Sequence, residues 1–596
     1  MKWLRYSIWL TGLVTLLVWL VHLDIPQPVP ATTPAVAQLL PPAPYPANFE
    51  QQLTRIDGVN VSLHPMQALP PNLPWELEKE APPVGSPLAR KGGTLRLSNV
   101  GPFPANFLAF GSPTPQFFHY NLFERIEVPL VWEHPATGQE MAGLAEAWCI
   151  HGQSIFFRLT ARARYSNGRP VRAADFALGL LLRHKIGIRL PIKELRIYGN
   201  SVLEVIPEHK GLAPLLSISR ILHPAEPGFY AEFGGNYTEL YARRIPPTTG
   251  AYRVADVQRG RLIVLEHVPD WWAAELQGFR HTHNIDRIEH HFLTDEAQTW
   301  EMFLNGRLNM LQTRNVTAWE NKMDGVAAAE DGRISLHSLR IDCPMPPYGI
   351  AVNARALPGR ELRRGLMHAL DMQRVTDVLF RGYAERLRQF TTGYRHLTHQ
   401  TPLCDYNPAE ARDCFARAGY THTGTDGILQ NADGRRLSIR FSFSPSDKLN
   451  TIATLLAQNA AVCGVEIIPE PLPWQNLSSQ IQNGSHELTF WATMPGLPLP
   501  DYRRFFHSTA TGHDAPFHLH LAEMDEAIEE VEQARTWEEA AEACARVDDL
   551  IHREGIWLPA WMENRANIAT WKHIRLPENY AGPYDVAESH QLWIEH

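Results

Sequence analysis

Histidines at 281, 283, 290 and 291 form the tightest group of metal-binding side-chain types in this chain. Imidazoles capture zinc, nickel or copper only when several converge on one point. Residues 287–292 read as a strand, so neighbours His290 and His291 should face opposite ways. The four histidines therefore read as solvated surface, and no metal is assigned. Six cysteines (149, 343, 404, 414, 463 and 544) are scattered, without a Cys-x-x-Cys pair. Cys404 and Cys414 are the one close pair. An oxidising compartment permits a bridge between them, although burial as small apolar residues accounts for them as well. The chain has no Gly-x-Ser-x-Gly elbow, no His-Glu-x-x-His helix and no Walker glycine loop. No catalytic residue and no cofactor follow from it, so it reads as a non-enzyme.

What positions side chains in a chain this long is a set of separate bodies. Its 596 residues exceed the size at which one core keeps growing, so two or three lobes are expected. Hydrophobic residues make up 44% and charged residues 20%, as in a folded body. A net charge of −9 excludes the basic stripe of a nucleic-acid binder. Lys2 and Arg5 precede residues 6–23, eighteen positions without Asp, Glu, Lys or Arg, closed by Asp24. This is an export signal or a retained signal anchor, facing the periplasm. As a helix it would reach roughly 27 Å, close to a ~30 Å hydrocarbon core. Ala35-Val-Ala37 is a possible cleavage site. Residues 25–46 hold eight prolines and read as an extended stalk, and 47–90 as a loosely wrapped lead-in.

Folding signals begin at Lys91-Gly-Gly-Thr-Leu-Arg-Leu-Ser98, a glycine turn feeding a strand with Leu95 and Leu97 on one face. Ile155, Phe157 and Leu159 alternate as a strand, Ser166-Asn-Gly-Arg-Pro170 turns, and 173–182 is helical. Further strands are expected at 261–267, 287–292, 348–353 and 437–443, and helices at 296–304 and 362–370. Asn407-Pro408 starts another helix and Gly419 ends it. An acidic helix near 524–535 presents a solvated face. Interleaved strands and helices make the class α/β.

Together these pieces resemble the periplasmic oligopeptide- and dipeptide-binding proteins (extracellular solute-binding family 5, cluster C). The resemblance rests on Gly92-Gly-Thr-Leu95, Gly143-Leu-Ala-Glu-Ala-Trp148, Tyr165-Ser-Asn-Gly-Arg-Pro170 and Thr249-Gly-Ala-Tyr-Arg253. It continues through Val264–Trp272, Asn353, Arg363–Asp371 and Tyr406–Arg412 to Ala418-Gly-Tyr420. Asn284-Ile-Asp-Arg-Ile288, Trp300–Gly306, Trp557-Leu-Pro-Ala-Trp561 and Pro577-Glu-Asn-Tyr580 are similar to its Yej-type branch.

The resemblance implies a two-lobed clamshell with an inserted domain. Residues 1–24 would be signal or anchor, and 25–90 linker and lead-in. Residues 91–120, 245–345 and 566–596 would form the first lobe, 121–244 the inserted domain, and 346–565 the other lobe. Hinges are expected near 342–348 and 564–571. The ligand would be a peptide or peptide-like compound, handed to an ABC permease by a monomer. Trp491 aligns with the strand whose end supplies an ammonium-binding aspartate in the family. Met494 stands at the aspartate's place, and Asp501 is the substitute offered by the following loop. Trp491, Asp501, Arg503 and Arg504 are the expected cleft residues. A membrane-anchored sensory module, or a metal-chelate or haem carrier of the same fold, is the alternative.

Overall fold

The computed structural model describes residues 40–595 apart from 105, 108–125, 209–210, 213, 232–236, 242–243, 314–315, 324, 342–343, 398, 403, 494–495, 497 and 578–588. The expected membrane segment 6–23, the cleavage site, Cys343, Met494 and most of the 577–585 tail lie outside the described residues. Within them, no helix is long and apolar enough to cross a membrane.

Gly92 and Gly93 both adopt positive φ, at 133° and 84°, a region open to residues without Cβ. They turn the chain into the strand Thr94–Val100, whose Leu95 is fully buried. That strand runs parallel to Arg287–Leu293 at one side of a four-stranded sheet completed by Leu262–His267 and Tyr252–Gln258. Burial alternates along Arg287–Leu293, as a period of two requires. His290 is buried 3.1 Å from the Asn99 amide, while His291 lies 3.5 Å from Glu289 on the other face.

The inserted domain is built on a six-stranded sheet. Its inner strands are Ile192–Tyr198, Val202–Pro207, Ser154–Leu159 and Ala145–His151. Both its edges come from the lead-in. Asn60–His64 pairs in parallel with Ile192–Tyr198, and Glu76–Leu77 pairs with Ala145–His151. This stretch is therefore part of the domain and not a loose wrap. Its prolines forbid a long helix or central strand but allow short edge strands. Upstream, Arg172 lies 4.4 Å over the Tyr45 ring and donates to the Ala43 carbonyl at 2.8 Å. The Tyr45 hydroxyl donates to Asp175 at 2.7 Å, which straps the chain to helix Ala173–Lys185 from its first described residues.

A second six-stranded sheet carries the other body. Its order is Glu385–Arg386, Trp557–Met562, Pro347–Val352, Leu488–Ala492, Ser438–Phe443, Glu466–Pro471. The last three are mutually parallel, joined by crossover helices Asp447–Val462 and Trp474–Asn483. Asn407 caps helix Pro408–Arg417 by accepting from the Ala409 and Glu410 amides, with Pro408 in the first turn as its sequence requires. On the acidic helix Ala522–Gln533, Met524, Ala527, Ile528 and Val531 turn inward; Glu523, Glu526, Glu529 and Glu530 face solvent, while Asp525 and Glu532 are half-buried and bonded to Ser508 and Arg503.

The chain crosses between the bodies twice. It leaves Ile334–Arg340 for Pro347–Val352, and returns from Trp557–Met562 to Arg565–Trp571. Arg340 pairs with Arg565, Pro347 pairs with Met562, and the Ile341 amide donates to the Asn564 carbonyl at 2.7 Å. The two crossings thus run side by side. Beside them Arg381 reaches Glu320 on the opposite body at 2.8 Å.

Entry to the inserted domain and exit from it meet at Thr249-Gly250. The Thr249 amide and hydroxyl donate to Glu127 at 3.2 and 2.6 Å, and the Val128 amide donates to the hydroxyl at 2.9 Å. Both indoles of Trp271 and Trp272 donate to the Thr249 carbonyl, at 3.0 and 2.9 Å, which fixes this pair in the core. A Cβ on Gly250 would lie 2.5 Å from the Ile126 carbonyl carbon, so only glycine allows this approach.

Burial pushes the Glu127 carboxyl up to about 7, against the Thr249 hydrogen bonds and the Arg183 charge that favour ionisation. The native state then holds a proton that the unfolded chain has released above its ordinary value near 4.5. Stability should fall as pH rises through that interval and level off above about 7. Glu127→Gln removes this slope. Denaturant unfolding at pH 5 and pH 8 checks it, and an equal pH response in variant and parent contradicts the assignment.

Candidate functional site

Side chains that follow the carboxyl ends of parallel strands collect along one rim of a sheet, where no further strand covers them. On the sheet of residues 347–562, this rim gathers Lys448 after Ser438–Phe443, Trp474 after Glu466–Pro471, and the loop to Asp501 after Leu488–Ala492. Antiparallel pairing brings Tyr348 and Met562 to the same end, so both crossings leave from this rim.

Alternation along Leu488–Ala492 sends Phe490 and Trp491 to opposite faces. Phe490 packs with Phe441, Phe443 and Trp561. Trp491 lies 5.0–6.2 Å from the rings of Phe390, Phe505, Phe506 and Phe517, and 8% of its surface reaches solvent. Beyond it, the Tyr394 hydroxyl donates to the Gly496 carbonyl at 2.7 Å. A Cβ on Gly496 would fall 2.5 Å from the Leu499 carbonyl oxygen, so a glycine tightens the turn that returns to Asp501. Asp501 caps the short helix Tyr502–Phe506 and accepts from the Arg504 amide at 3.3 Å. It is open to water, yet surrounding protein raises its carboxyl above the ordinary value, opposed by the Arg504 bond and charge.

Both neighbouring arginines have carboxylate partners. Arg503 forks onto Glu532 at 2.6 and 2.7 Å and contacts His507 at 3.1 Å. Arg504 binds Asp514 at 2.8 and 3.0 Å. Of the four expected residues, Trp491 ends its strand with its indole packed in an aromatic cluster, Asp501 is exposed in the loop that follows, and Arg503 and Arg504 are paired with Glu532 and Asp514.

Sequence reasoning missed the rim's cation. The Lys448 ammonium pairs with Glu563 and lies 4.7 Å over Phe380, 5.9 Å over Tyr348 and 6.0 Å over Trp561. The Trp561 indole also donates to Glu563 at 3.3 Å. These residues are far apart in the chain, and no spacing links them. Trp474, half exposed at the first residue of its helix, was legible as a tryptophan following Pro-Leu-Pro but carried no chemistry by itself. The set comprises aromatic faces, the Lys448 ammonium paired with Glu563, and the exposed Asp501 carboxylate, groups of the kind that hold zwitterionic molecules without covalent chemistry. Cys404 and Cys414 are both free thiols, and Cys404 sits 3.1 Å from His552, so the permitted bridge is not formed. Among the described residues, no group of three His, Cys, Asp or Glu side chains could hold a metal.

Glu563 is 5% exposed and would be left without its counter-charge in Lys448→Met. That variant should lose about 1–3 kcal/mol, since a buried carboxylate is costly alone. Lys448→Met/Glu563→Gln should recover most of the loss. Denaturant unfolding of the four members of this double-mutant cycle measures the coupling, and additive losses would refute the pair's importance.

A family model described as bacterial extracellular solute-binding proteins, family 5 Middle, matches residues 141–513. The chain is 29% identical over 150 residues to the binding protein BMEII0691 of Brucella melitensis, and in that match it spans about a quarter (24%) of the relative and 25% of itself. It is 20% identical over 570 residues to the peptidoglycan-binding protein YepA of Agrobacterium fabrum, covering 83% of this chain and 89% of that one. The oligopeptide-binding protein AppA of Bacillus subtilis, solved with a nonapeptide, superposes with a TM-score of 0.69 at 16% identity, covering 85% of this chain and all of the other. The fold is the two-lobed periplasmic-binding-protein architecture. The family match takes in more than half of the sequence, and the chain belongs to the bacterial extracellular solute-binding proteins of family 5.

Proposed function

We propose that this chain captures peptides or peptide-like molecules outside the cytoplasm and delivers them to an ABC importer. One observation supports the reading: Lys448, Trp474 and the loop from the Trp491 strand to Asp501 follow the strand ends from which both crossings leave. A molecule seated there touches one body and lies against the connectors to the other. Asp501 takes the ligand ammonium, Lys448 faces its carboxylate, and Trp491 and Trp474 supply walls that tolerate varied side chains. Arg503 and Arg504 brace the Asp501 helix. The lobes of residues 91–120, 245–345 and 566–596 on one side, and 346–565 on the other, close about the crossings. Residues 6–23 keep the monomer near the inner membrane.

The likeness to a peptidoglycan-binding protein and to a structure holding a nonapeptide supports peptides, cell-wall peptides included, as the ligand class. Binding needs no cofactor. Native mass spectrometry of the purified full chain, followed by titration with a tripeptide, its N-acetyl form, a cell-wall tetrapeptide and a nickel–histidine chelate, tests this. Peptides should bind, and Trp491→Ala should weaken them at least tenfold, about 1.4 kcal/mol. Asp501→Asn should erase the preference for a free ammonium over the N-acetyl peptide. Binding of the chelate alone, or peptide affinities untouched by either substitution, would overturn the proposal.

A further inference from the structure

At the far end of the three-stranded sheet formed by Met310–Thr313, Arg565–Trp571 and Ile334–Arg340 lies a shallow, largely open recess. It has a volume of about 400 Å³ and is lined by Arg333, Trp571, Lys572, His573, Arg575 and Glu595. Arg565–Trp571 starts at the crossing and ends at this recess, so about 20 Å of extended chain separates the two. Arg96, whose charge acts on His573, lies near the amino end of its parallel strand, opposite the carboxyl rim where ligands sit in such sheets. A molecule held between the lobes does not reach this place.

The recess is built for negative charge. Lys572 is exposed, and its ammonium has no hydrogen bond or ion pair among the described residues. Arg333 engages Asp331 through Nε at 2.8 Å, and Arg575 engages Glu595 through Nε at 2.8 Å and through Nη2. Each keeps Nη1 uncommitted. Three permanent cations thus meet two carboxylates, in a chain whose net charge is −9.

His573 adds a neutral donor. The Asn309 carbonyl oxygen accepts from the Arg96 amide at 2.6 Å, which turns the Asn309 NH₂ toward His573 Nε2 at 3.1 Å. An amide nitrogen only donates, so Nε2 accepts and the neutral ring carries its proton on Nδ1. Burial and the Arg96 charge hold this imidazole below its ordinary pKa. The Trp571 indole, anchored to the Phe303 carbonyl at 3.1 Å, forms a fixed apolar wall.

We propose that this recess is a second ligand site, independent of the interlobe one, for a phosphate or carboxylate group. Lys572 and the two guanidiniums take the anion, His573 Nδ1–H donates to it, and Trp571 covers the attached apolar part. A free phosphate ester and a phospholipid headgroup present the same chemistry.

Isothermal titration of the full chain with inorganic phosphate at low ionic strength tests the free form. Co-sedimentation with phosphatidylglycerol vesicles, taken as the excess over phosphatidylcholine vesicles, tests the headgroup. Comparing the two lipids subtracts any insertion of residues 6–23. Lys572→Gln should weaken the positive signal about tenfold, as loss of one charge-assisted bond implies, and Lys572→Arg should restore it. An unchanged thermal midpoint in Lys572→Gln confirms folding. Phosphate binding assigns a small-anion site, and phosphatidylglycerol preference without phosphate binding assigns a headgroup site. Neither signal, or signals indifferent to Lys572→Gln, would overturn the proposal.

Discussion

The two connectors between the bodies meet at the hydrogen bond from the Ile341 amide to the Asn564 carbonyl. Two separate connectors could twist independently. Two connectors zipped at 2.7 Å, with Arg340 opposite Arg565 and Pro347 opposite Met562, behave as one ribbon with fewer ways to bend. Such a ribbon guides one motion, as hinges confined to a few residues do. Glu563 belongs to the ribbon, and its partner Lys448 belongs to the helix after a parallel strand. One ion pair therefore ties the connector to the rim at which ligand contact is proposed. The rings of Phe380, Tyr348 and Trp561 lie against the half-exposed Lys448 ammonium, and Glu563 is buried beneath it.

The inserted domain is secured differently. Thr249 uses every polar group it has: two donors on Glu127, a hydroxyl oxygen accepting from Val128, and a carbonyl shared by two indoles. This knot couples the incoming and outgoing chain to the four-stranded sheet, so the inserted domain moves with that body. The contrast is between a joint of two paired connectors and a joint knotted by side chains.

Much of this was legible from residue order. The glycine pair at 92–93, the alternation at 287–293, the Asn407-Pro408 start and the helix Glu296–Leu304 each rest on local rules, and each appears where those rules place it. Val264–Trp272 belongs to the family resemblance, which implies core packing for Trp271 and Trp272, and both indoles donate to the buried Thr249. Local rules failed where partners are distant. Asn60–His64 has no strand pattern strong enough to outweigh its proline-rich setting, and it exists because Ile192–Tyr198 offers an open edge 130 residues later. Arg503 and Arg504, expected in the cleft, have partners in Glu532 and Asp514 that no local rule joins to them. Lys448 was invisible for the same reason.

The strap at Ala43 and Tyr45 has a mechanical consequence. Because the polypeptide enters the body through the inserted domain, any pull exerted from upstream is borne by Arg172, Asp175 and the sheet edge at Asn60–His64. That load path bypasses the bending ribbon altogether. A leash attached at this end could drag or orient the whole molecule without prying its jaws apart or clamping them shut.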